Sequence, residues 1–252
     1  MSVPAYVPYY IYVGAAANIA AVLLGLRRAL AEAKWPEHDR TQTVRTAAII
    51  LIGWFAFAVT LGALGAYHAT VDRLPTIQYG ILMPILIGVL LLWRSSTVAR
   101  ILDAVPLPWL VGVQLYRALG VMFLILHAAG KLPGLFAFPA GIGDILVGVL
   151  APIVALAYAR NPQASGPLVL AWNILGIADL IVAVTTGFIS APSPLLPSLV
   201  QPTSELISVL PLVVIPTFAV PLSIVLHVAS LMKLRREMSH APGRGKLALS
   251  GA

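Results

Sequence analysis

Apolar residues in this chain come in long unbroken blocks, with no strand-like alternation of polar and apolar positions. A bilayer crossing needs roughly 20 mostly apolar residues. Seven stretches qualify: 6–26, 46–67, 77–93, 107–128, 135–158, 167–190 and 206–232. The pattern predicts an all-α integral membrane protein with seven transmembrane helices in one domain, residues 1–238. A disordered tail, 239–252, follows. Most connections are short, which predicts that consecutive helices are neighbours. The connection 190–205 is longer and carries four prolines. It reads either as a stiffened cap over an outer vestibule or as a plain linker. The last stretch is interrupted by Pro211, Pro216 and Pro221, each removing a backbone donor. A broken helix at membrane depth needs its freed carbonyls satisfied by protein or water, and such helices often line transport sites.

Composition agrees with that pattern. The chain of 252 residues is 60% hydrophobic and 10% charged, with mean hydropathy +0.94; a soluble domain carries about 25% charged residues. It has no cysteine, so disulfides, thiolate chemistry and cysteine metal sites are excluded. The net charge of +7 would point to nucleic acid in a soluble protein. Its distribution gives another reading. Thirteen Lys and Arg fall on one side of the predicted spans, including Arg27, Arg28, Lys34, Arg100 and Lys233. Two, Arg73 and Lys131, fall on the other, and Arg117 lies within a span. Positive charge stays cytoplasmic. The expectation is an outside N-terminus, a cytoplasmic C-terminus, a cytoplasmic (inner or plasma) membrane location, membrane lipids as partners and no nucleic acid. The opening MSVPAYVPYY has no basic leader, so the first span reads as an anchor and not as a cleaved signal.

Three charges are predicted near the membrane midplane: Arg117, Asp144 and Asp179. Each costs ~2.5–3.5 kcal/mol at that depth even on lenient insertion scales, so all three must face inward and pair or meet water. The two Asp sit in near-identical nonamers, GIGDILVGV from Gly141 and GIADLIVAV from Gly176. Small residues share their helix faces, as Ala140, Gly141 and Gly148 do for Asp144. Gln114 shares the Arg117 face; Trp172 and Thr186 share that of Asp179; Asn18 lies on a small-residue stripe of the first span. These seven residues are the candidate proton, cation or substrate site. One Arg against two Asp leaves a carboxylate over. It must be protonated, hold a cation or meet a histidine.

The histidines suggest less. His68 and His127 fall at outer span ends and read as interfacial caps. Ser223 and His227, four apart, have the spacing of a nucleophile and base, but the third group is missing and the Asp pair is expected at another depth. A retinal-type lysine at the centre of the last span is absent, and so are DDxxD, GxSxG, HExxH and Walker sequences. No metal or cofactor is expected. The leading functional expectation is proton- or cation-coupled transport of a small solute. The alternatives are an intramembrane enzyme acting on a lipid or isoprenoid, and a non-catalytic membrane subunit or assembly factor.

Overall fold

A computed structural model describes residues 3–72, 75–194 and 200–240. Arg73, the middle of the proline-rich connection and the expected tail from residue 241 lie outside the described residues. No β-strand occurs among those described. Seven helices are long and apolar enough to cross a membrane.

Helix α1 (Tyr6–Glu32) and helix α2 (Glu37–Ala63) form a hairpin. Its turn follows from one residue. Lys34 takes a left-handed φ of 58°, which lets the Trp35 N–H reach the Leu30 carbonyl and the Lys34 N–H reach Ala31. Pro36 then starts α2, with Glu37 and Asp39 in its positive first turn. This helix begins nine residues before the apolar stretch, because its first turns are polar and lie beyond the membrane core. Helix α3 (Ile77–Arg94) leads through Ser95 into a short amphipathic helix, α4 (Ser96–Ala104). Ser95 caps it by accepting from the Val98 N–H at 3.3 Å.

The fourth span is not one continuous α-helix. It runs as α5 (Leu107–Gly112), a 3₁₀ segment (Val113–Gly120) and α6 (Val121–Ala128). Helices α7 (Gly134–Arg160) and α8 (Pro162–Ile189) pack antiparallel beside it. The last span is broken as the prolines predict. After a 3₁₀ turn (Ser204–Ser208) the chain enters a π turn (Ile215–Ala219), and only then α9 (Val220–His240). Pro221 cannot donate to the Thr217 carbonyl four residues before it. The Trp54 indole does so instead, at 3.1 Å.

Helix α9 is the central post, packing on α3, α4, α5 and α8. Consecutive order does not hold throughout: α2 and α3 scarcely touch. Gly80 and Gly88 of α3 leave room for Thr217 and Val225 of the last span, so α3 seats there. Apolar residues cover the outside, Phe57, Leu86, Ile142 and Ile181 among them. The interior holds Asn18, Gln114, Arg117, Asn173, His227 and Ser230. That inverted distribution is the one a bilayer solvent selects.

Candidate functional site

The 3₁₀ segment of the fourth span builds the centre. With three residues per turn, positions i and i+3 eclipse, so Gln114, Arg117 and Gly120 stack on one face. Gln114 and Arg117 are buried. A Cβ on Gly120 would overlap the Asp144 side chain, and one on Gly148 would overlap the Ala118 backbone. Segment and helix therefore meet at backbone distance.

Arg117, with a side chain 2% exposed, spends its donors on four partners. Its Nε donates to Asp144 Oδ1 at 2.8 Å. Its Nη2 donates to Asp179 Oδ2. Its Nη1 faces the Gly176 carbonyl and His227 Nε2, both at 3.2 Å. Guanidinium cannot accept, so His227 Nε2 must be the acceptor and the ring proton sits on Nδ1. That proton goes to Asn173 Oδ1 at 2.9 Å. The Asn173 amide in turn donates to Ser230 Oγ at 3.0 Å and to the Val169 carbonyl at 2.8 Å. The bonds assign one tautomer and one neutral histidine. They link α7, the fourth span, α8 and α9 in a single network.

The nonamers contribute two seats each. In α7, Asp144 binds Arg117, while Gly143 leaves the space the Asp179 carboxylate fills. In α8, Asp179 binds Arg117, while Gly176 leaves the space for the His227 ring and offers its carbonyl. The surroundings of the two Asp differ. Asp144 lines two cavities, of about 80 and about 70 Å³, and its side chain is 16% exposed. Asp179 lines neither of them, and its side chain is 9% exposed. The first cavity is also lined by Asn18, Tyr116, Arg117 and Ser223. At roughly 30 Å³ per water, either cavity has room for a few waters or a small ion. Both fall well below the roughly 300 Å³ of an ordinary ligand pocket.

The remaining sequence candidates are distributed unevenly. Asn18 lies on the first cavity, with its Oδ1 buried and unpartnered among the described residues. Gln114 is fully buried and neither amide atom has a partner among them. Trp172 donates to the Val147 carbonyl at 3.1 Å and packs on the His227 ring, away from both cavities. Thr186 lies two turns beyond Asp179 and bonds the Val182 carbonyl of its own helix at 2.8 Å.

His227 corrects an expectation: it is at the depth of the carboxylates, in contact with Arg117. Residues 206–214 do not belong to the regular helix. The apolar helix runs Ile215–Ser239, and His227 is at its middle. With both ring nitrogens engaged, His227 is not paired with Ser223, which bonds Tyr116 instead. Asn173, Ser230 and Tyr116 went unrecognised in the sequence. Ser223, His227 and Ser230 at i, i+4 and i+7 would have revealed a polar face on α9. At the end of the bundle opposite the α1–α2 turn, His68 pairs with Glu205 at 2.8 Å, and His127 bonds the Leu132 carbonyl at 2.9 Å. No cluster of three His, Cys, Asp or Glu able to hold a metal occurs among the described residues.

No curated protein and no solved structure matches this chain. A family profile, described as a domain of unknown function (DUF8737), matches residues 74–235. The matched region starts just before α3 and ends within α9. It contains Arg117, Asp144, Asn173, Asp179, His227 and Ser230, and leaves out the α1–α2 hairpin with Asn18. Because the match covers well over half of the chain, this protein belongs to the DUF8737 family.

Proposed function

We propose that this protein carries protons or a small cation across a cytoplasmic membrane, coupled to a small solute, with its N-terminus outside. In this reading Asp144 is the carboxylate that loads and unloads. The observation that carries it is the charge balance of the core. Two carboxylates meet one guanidinium, and the neighbouring histidine accepts from that guanidinium, so it supplies no compensating charge. The carboxylate that borders open space is Asp144. A buried excess negative charge is costly without a proton or a cation, and a cavity of a few waters supports delivery of either.

A lipid-modifying enzyme would want a lipid-wide opening at the carboxylates. A wide apolar opening of about 820 Å³ lies instead between α2 and α3, behind the π turn. The test is ion uptake into liposomes carrying the purified protein, read with an internal pH dye under an imposed potential. Uptake by the native chain that disappears in the Asp144→Asn variant is the expected result. Undiminished uptake after replacing both Asp144 and Asp179 by Asn would overturn the proposal.

A further inference from the structure

The space between α2 and α3 has two parts that join. One is an apolar groove of about 820 Å³, walled by α2 residues such as Gly53 and Phe57 and by α3 residues such as Met83 and Ile87. Thr217 and Val225 form its floor. Its polar atoms at mid-depth are already paired. The Trp54 indole bonds the Thr217 carbonyl, and the Thr217 hydroxyl bonds the Val213 carbonyl at 2.7 Å. Nothing there calls for a polar ligand. The other part, about 1200 Å³, lies at the basic end of the bundle, between the α1–α2 turn and α4. Ile50, Leu51 and Val225 line both parts, so the two are continuous.

The polar part carries Lys34, Asp39, Arg100 and Asp103. Asp103 is held by Arg236 at 2.6 Å, and Asp39 lies beside His38 at 3.3 Å. Among the described residues no carboxylate is within ion-pairing distance of Lys34 or Arg100. An apolar trough at membrane depth thus opens onto Lys34 and Arg100, two cations with no paired carboxylate, at the membrane surface. That is the charge and polarity profile of one phospholipid.

We infer that the groove between α2 and α3 binds a single membrane phospholipid, its acyl chain along Gly53 and Met83 and its phosphate at Lys34 and Arg100. Lipids with net negative headgroups are favoured, because Arg236 neutralises Asp103 and the two cations Lys34 and Arg100 outweigh the one remaining carboxylate, Asp39. The site stands apart from the central ion cluster: Thr217 of the π turn faces the groove, and Phe218 next to it faces the central cavity.

Gly53 provides the test, because a Cβ built there meets nothing within 4 Å. Gly53→Leu puts a branched side chain into the groove from a position where its Cβ meets nothing. Val149→Phe, on the exposed face of α7, adds the same four carbons elsewhere and serves as the control. Native mass spectrometry would be run on the full chain in mild detergent, with equal amounts of phosphatidylglycerol and phosphatidylcholine added. The native and Val149→Phe proteins should retain one phospholipid, mostly phosphatidylglycerol. Gly53→Leu should lose it. Lys34→Gln with Arg100→Gln should lose the preference for phosphatidylglycerol. Equal lipid retention by Gly53→Leu and the native chain overturns the inference, as does an unchanged preference in the double variant. A lipid-free dimer that Gly53→Leu dissociates would also overturn it, and would make the groove a contact between copies.

Discussion

The two nonamers of α7 and α8 are nearly the same nine letters, yet they do different work. In α7 the sequence supplies an Asp on a cavity and a glycine that receives the other helix's carboxylate. In α8 it supplies an Asp seated against its neighbour and a glycine that receives a histidine. The difference arises from what faces each copy. Gly143 meets Asp179, whereas its counterpart Ala178 is exposed. Equal local sequence thus yields two carboxylates that both hold Arg117, one bordering open space and the other closed off from it. Repetition in a membrane chain says where charge is buried; the partner helix decides what the charge does.

The strongest way to break the comparison is to remove what the two copies share. Arg117→Leu leaves two carboxylates buried without their cation. Losing one member of a buried pair costs about 3–5 kcal/mol, so most of the protein should fail to elute as a monodisperse species in size-exclusion chromatography. Gly143→Ala should come next. Its methyl group displaces the Asp179 carboxylate from Arg117, so the melting temperature should fall clearly. Ala178→Gly, the matching change in the other copy, should cost at most about 1 kcal/mol of helix propensity. If both variants melt alike, the proposed asymmetry is wrong. His227→Gln should have the smallest effect. A glutamine oxygen can still accept from Arg117, so the loss should stay near the ~1 kcal/mol of one hydrogen bond. Denaturant midpoints of the detergent-solubilised protein would show it.

Much of this was legible in the sequence. Seven crossings follow from apolar length, and the inward pairing of Arg117 with Asp144 and Asp179 follows from the cost of charge at mid-bilayer. The broken last helix follows from Pro211, Pro216 and Pro221. Three features were not legible. The 3₁₀ winding of Val113–Gly120 is one, because the face that Gln114 shares with Arg117 at i, i+3 arises in an α-helix as well. The depth of His227 is another, because counting apolar residues 206–214 into the last helix sets it apart from the carboxylates, whereas that helix begins at Ile215. Neighbour order failed for α2 and α3, because a small-residue face on α3 packs on the last span irrespective of chain order. Helix existence is set by composition and length, whereas register and partner choice are set by side chains on other helices.

The most direct test of the account sets Asp144→Asn beside Asp179→Asn, each measured for melting temperature and for ion uptake in liposomes. The account predicts a split. Asp144→Asn, whose amide can turn to cavity water while its oxygen still accepts from Arg117, should melt close to the native protein and lose uptake; Asp179→Asn, whose amide has no cavity to face, should melt lower. Two variants that fall together in both measurements, or an Asp144→Asn protein that still takes up ions at the native rate, would contradict it.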